Sequence, residues 1–164
     1  MTAPDSEAPG PEPLDTSLLF EVFALNQAVG RFLAEAMGDG PLTPAEYAVS
    51  SALFELESAT PTALAARLGM RLTTFVDQLR LMESRGHARR TRNPHDGRSQ
   101  LVVLTAPGLE AHRTANRLFE AAYASFIAEL GDDESPSKRT LVAVRKAAER
   151  ALALSPRRTA GRAG

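Results

Sequence analysis

Between Pro61 and Thr105 the chain carries eight arginines, Arg67, Arg71, Arg80, Arg85, Arg89, Arg90, Arg92 and Arg98, against three acids, Asp77, Glu83 and Asp96. That segment is therefore +5 in a chain whose formal net charge is −1, which leaves −6 for the remainder. Guanidinium groups concentrated in this way offer planar, multidentate donors, and a basic segment inside an acidic protein points to a local polyanion-binding surface. The competing reading is a solvated face in a chain that favours arginine over lysine throughout.

Other chemistries find little support. The 164 residues include no cysteine, which excludes a disulfide scaffold, a thiolate zinc site and a cysteine nucleophile. His87, His95 and His112 are too scattered for a metal cluster. Tyr47, Glu110 and His112 form a polar group without nucleophile–base spacing, and there is no glycine-rich phosphate loop. The expectation is a non-enzyme with no cofactor. No apolar run approaches the ~20 residues of a membrane span, and the acidic, proline-rich opening is unlike a secretory signal, so a cytoplasmic location is expected.

Helical periodicity supplies the elements that must position the arginines. Residues 1–13 read as a disordered tail and 155–164 as a flexible one. Leu18, Val22, Leu25, Val29 and Phe32 form one seam of a first helix, and Leu19, Phe23, Leu33 and Met37 a second stripe. Thr43-Pro44 with Glu46 predicts the capping box of a second helix, and Thr60-Pro61 starts a short third, stopped by Gly69. The fourth runs from about Leu72 to Arg85, buries Phe75, Leu79 and Met82, and stops at Gly86. Strands are expected over His87–Arg92 and Ser99–Leu104, joined by the turn residues Asn93-Pro94-His95-Asp96-Gly97. Thr105 caps a fifth helix, and Ser135-Pro136 starts a sixth.

Two short helices joined by a tight turn and followed by a basic hairpin make a winged helix-turn-helix. Its second helix fits the major groove of DNA, where base edges are distinguishable, and its hairpin sets cations beside the backbone or in the minor groove. On this reading the DNA-facing residues are Arg71, Thr73, Thr74, Asp77 and Gln78 of the fourth helix, and Arg89, Arg90, Arg92, Asp96 and Arg98 of the hairpin. The alternative is a winged-helix module for protein contacts without DNA binding.

The run from Leu64 to Gly69, Thr74-Phe75 leading to Met82–Gly86, and above all Asn93–Ser99 through Val103-Leu104-Thr105 with Gly108 resemble the MarR family of bacterial transcriptional regulators. Leu42-Thr43-Pro44 with Tyr47 fits the start of that family's second helix. The resemblance implies a mainly α fold with a small β-hairpin wing, a winged helix-turn-helix lobe (about 42–105) on a helical dimerisation base (about 15–38, 106–130 and 135–154), within one domain over 14–154. It implies a homodimer on a palindrome of double-stranded DNA, a repressor released by a small, often aromatic effector. Phe32, Tyr47, Phe54 and His112 are candidates to line an effector space. The excess apolar face of the first and fifth helices supports dimerisation independently. Carried over residue by residue, the wing arginine falls on Arg98 and the acid that orients its guanidinium on Asp96. Two residues depart from the family pattern. Asp77 stands where a cationic or neutral residue is common, and its carboxylate either repels phosphate or accepts from cytosine N4. Gly97 replaces a second arginine.

Overall fold

The computed structural model describes residues 17–131 and 134–154; the tails expected at 1–13 and 155–164 lie outside the described residues. Four helices begin where a hydroxyl accepts a first-turn amide, which satisfies a donor the helix itself leaves orphaned. Ser17 takes Phe20 N–H ahead of α1 (Leu18–Ala36), and Thr43 takes Glu46 N–H ahead of α2 (Pro44–Leu56). Thr60 takes Ala63 N–H ahead of α3 (Pro61–Arg67), and Thr105 takes Gly108 N–H ahead of α5 (Ala106–Leu130). Between α3 and α5 lie α4 (Leu72–Ser84), β1 (Ala88–Arg92) and β2 (Gln100–Leu104), and α6 (Glu134–Leu154) comes last. The order is the expected one. The sixth helix starts a residue before Ser135, so Pro136 falls in its first turn, where no amide is needed. None of these helices is long and apolar enough to cross a membrane.

Residues up to Leu118 form one compact unit and those from Phe119 a second, the division falling inside α5. The first unit holds the core: Val49, Ala52 and Leu53 of α2, Leu64 and Ala65 of α3, Phe75, Leu79 and Met82 of α4, and Ala88 and Val102 of the hairpin. Gly69 (φ 65°) and Gly86 (φ 73°) close α3 and α4 in the left-handed conformation that favours glycine. The strands pair antiparallel, with Ala88 opposite Leu104 and Arg92 opposite Gln100. Ala59, between α2 and α3, adds a bridge to Val102, donating at 3.3 Å and accepting at 2.8 Å. The middle of β2 is thus bonded to the chain segment that leads into α3.

Two side chains join distant elements. Glu46 is fully buried, accepts Thr43 N–H at 2.8 Å in the capping box, and accepts Arg85 Nη1 at 2.9 and 3.0 Å on its two oxygens. The start of α2 is thereby bonded to the end of α4. At the next junction Thr105 N–H donates to His87 O at 3.1 Å and Thr105 Oγ1 to Gly86 O at 2.5 Å. Gly108 lies against the same carbonyl: a Cβ there would fall 1.8 Å from His87 O.

Removing either partner of the ion pair has unequal costs. Arg85 keeps 43% of its side chain exposed and can rehydrate, whereas Glu46 has 0%. Arg85→Ala, which strands a buried carboxylate, should cost roughly 3–5 kcal/mol, and Glu46→Gln, which keeps an acceptor for Thr43, about 2 kcal/mol. Urea unfolding at pH 7 reads that order. In the same assay Gly108→Ala should cost about 3 kcal/mol by overpacking the start of α5.

Candidate nucleic-acid interface

With 100° between successive residues, α4 sets its core positions Phe75, Leu79 and Met82 opposite a stripe of Thr73, Asp77, Arg80 and Ser84. All four stripe residues are exposed, as are Thr74 on its flank and Arg71 at the N-cap. Gln78 does not join them. It follows Phe75 by three residues, is half-buried, and turns its Oε1 inward without a partner. Its expected place on the outer face is corrected by that offset. Unlike α1, α2 and α3, α4 has no side-chain cap. Its first-turn amides are left for solvent or an anion.

The eight clustered arginines divide into two groups. Arg67 pairs with Glu55, Arg80 with Asp77 at 3.1 Å, Arg85 with Glu46, and Arg90 with Glu83 at 2.9 Å. Among the described residues Arg71, Arg89, Arg92 and Arg98 have no carboxylate partner, and all four are exposed. Arg90 was expected in the open set. It shares a strand face with buried Ala88, which carries it back to the end of α4, where both it and Glu83 are about 30% exposed (31% and 28%). Arg89, one residue earlier, points to the opposite face of the hairpin.

At the hairpin tip Asp96 Oδ1 accepts the backbone N–H of Arg98 at 3.0 Å. The acid therefore shapes the turn and makes no ion pair with the Arg98 guanidinium, contrary to the expected side-chain pairing. An aspartate two residues ahead of an amide is placed for such a turn, and a guanidinium beyond it extends past the carboxylate. Asn93 completes the tip by accepting His95 N–H at 3.0 Å and donating to Ser99 Oγ at 2.8 Å. Arg90, Arg92 and Arg98 line one side of an open groove of about 650 Å³, with Leu72 and Val76 of α4 and the start of α3 from its N-cap Thr60 to Thr62 on the other. The pair Arg80–Asp77 was missed in the sequence, although the i,i+3 spacing of opposite charges signals it.

A second cavity of about 470 Å³ lies between α2 and α5. Tyr47, Ser51 and Phe54 supply one wall; His112, Arg113, Asn116 and Arg117 supply the other. The His112 ring stacks on Tyr47 (5.6 Å between centroids, 9°) and on Phe54 (4.8 Å, 21°). Ser51 Oγ and His112 Nε2 are 3.2 Å apart, and Tyr47 donates to Asn116 Oδ1 at 2.6 Å. Burial, and next the positive charge of Arg113, holds the His112 pKa below its ordinary value. His112 is thus buried, in the wall of this cavity. Phe32 does not line this cavity.

No family model matches the chain. It is 33% identical over 98 residues to the HTH-type transcriptional regulator TtmR of Methylorubrum extorquens (strain PA1), a match that covers 60% of this chain and 50% of that protein. The chain thus spans about half the length of the curated relative it matches. Its fold superposes with a TM-score of 0.70 on a mutant MarR from E. coli complexed with operator DNA, at 25% identity over 77% of this chain and 91% of the other. PcaV from Streptomyces coelicolor, solved with its natural ligand, gives a TM-score of 0.72 at 24% identity over 87% and 99% of the two chains. The helix order, the short α3–α4 pair and the hairpin agree with these neighbours: the chain has a winged helix-turn-helix fold and is similar to MarR and PcaV.

Proposed function

We propose that this chain is a transcriptional regulator that binds a palindromic operator as a homodimer, acts in the cytoplasm and carries out no catalysis. The observation that carries the reading is the set of four arginines without carboxylate partners among the described residues, Arg71 at the open end of α4 and Arg89, Arg92 and Arg98 on the wing, together with the polar outer stripe of α4. Cations bound to protein acids are already neutralised, whereas free ones exchange counterions for phosphates. Thr73 and Thr74 then meet base edges, Asp77 faces the groove beside them, and Arg98 enters the adjacent minor groove, where negative potential is enhanced. Arg90 supports the wing through Glu83, and Gln78 supports α4 from its buried flank.

Dimerisation is supported by apolar surface that one chain leaves uncovered. No residue of α1 is buried, and Leu18, Leu19 and Phe23 are 63%, 72% and 61% exposed. On α6 Leu141 and Leu152 are 48% and 64% exposed. A second copy that covered these faces would set two recognition helices about 34–36 Å apart, one turn of DNA. We further read the α2–α5 cavity as an effector site for a small aromatic acid. Stacked rings suit an aromatic body, and Arg113 and Arg117 suit an anionic group. Ligand binding there favours a repressor that is released by its effector.

Arg98→Ala should weaken operator binding and lower the slope of log affinity against log salt by about one, the loss of one phosphate-scale contact. Asp96→Ala should be a milder version, because the arginine remains while its turn loosens. Equilibrium binding to a selected duplex at several salt concentrations measures both, and flat salt dependence in the parent would favour the protein-interaction module instead. For the cavity, His112→Ala should make release from the operator by 4-hydroxybenzoate about tenfold less sensitive, the scale of one or two lost ring stacks, with operator affinity itself unchanged.

A further inference from the structure

The outer stripe of α4 contains one cationic residue, Arg80, and among the described residues it pairs with Asp77. The pair does little for the fold. Both side chains are about 70% exposed (70% and 72%), and an exposed i,i+3 ion pair adds almost nothing to stability. Its effect is on direction. Helix side chains lean toward the N-terminus, so the Arg80 guanidinium is carried back over the turn that holds Asp77, toward Thr73. There Nη1 meets Oδ1 at 3.1 Å, a single contact that leaves most of the five N–H donors of the fork open.

The neighbouring carboxylate decides what that fork can take. A phosphate at the same place would be repelled by Asp77. Two neutral acceptors side by side would not be, and guanine presents O6 and N7 in that arrangement on its major-groove edge. Resting on the operator-binding reading above, we propose that Arg80 reads a guanine in each half-site and that Asp77 is its positioning residue. Asp77 fixes the guanidinium before DNA arrives, which reduces the side-chain ordering that binding would otherwise require. It also makes phosphate contact at this position unfavourable, so it sharpens sequence preference at some expense of general affinity. The carboxylate is then no direct reader of cytosine.

The test uses the full chain and a duplex selected by the parent from a random pool. Arg80→Lys keeps the charge but loses the fork, and should lose guanine preference at one position per half-site, with selected-site affinity falling about ten- to a hundredfold. Its binding to non-specific duplex and its salt slope should stay at parent values. Asp77→Ala should relax preference at that same position by a smaller factor and tighten binding to non-specific duplex. In an Arg80→Ala background, Asp77→Ala should leave base preference unchanged. If Arg80→Lys keeps every base preference of the parent, or Asp77→Ala changes a different position from Arg80→Lys, the inference is overturned while operator binding stands. A parent that enriches no duplex overturns both. Unfolding curves for each variant should match the parent, since neither side chain is buried.

Discussion

A carboxylate taken wholly out of water must be paired and hydrogen-bonded or it destabilises the fold that buries it. Glu46 meets that condition by joining two places 39 residues apart, its own helix start through Thr43 and the end of α4 through Arg85. The next residue, Gly86, turns the chain toward the wing, and its carbonyl is held by the hydroxyl that also caps α5. One buried charge therefore fixes the exit of α4, and through two successive junctions the placement of the hairpin and of the start of α5. The polar stripe of α4 inherits its orientation from this arrangement.

The same pairing logic separates arginines that hold structure from arginines that face outward. Arg85 and Arg90 return to acids that are themselves largely removed from solvent, whereas Arg92 and Arg98 are exposed and pair with no acid among the described residues. Net charge along a segment does not show this division. A +5 stretch with every arginine paired would have a much weaker field than one with half of them open.

Local signals made most of the fold legible in the sequence. Thr43-Pro44, Thr60-Pro61, Gly69 and Gly86 punctuate helices by chemistry confined to a few neighbouring residues, and each lies where its pattern requires. The stripe of Phe75, Leu79 and Met82 likewise fixed which side of α4 is buried. What was not legible depends on partners distant in sequence. Nothing near Glu46 signals Arg85, nothing near Ala59 signals Val102, and Ser51 is 61 residues from the His112 it faces. Gln78 was misplaced for a finer reason: polarity suggests an outer position, while its three-residue step from Phe75 places it at the edge of the core. Asp96 kept its expected neighbour but bonds to the main chain in place of the side chain.

The bridge from Ala59 to Val102 bears on how this surface can change over generations. It ties the middle of β2 to the segment ahead of α3, while Thr105, just past the foot of the hairpin, ties the end of the same strand to Gly86 and His87. The hairpin is consequently a stiff mount, and its tip from Pro94 to Arg98 is exposed and supported by its own short turn bonds. Residues at the tip can be exchanged without disturbing the mount, because the bonds that hold each part are separate. On the proposed operator-binding reading, such a lobe can acquire a taste for new flanking sequence by altering a handful of side chains, with its core and α4 kept as they are.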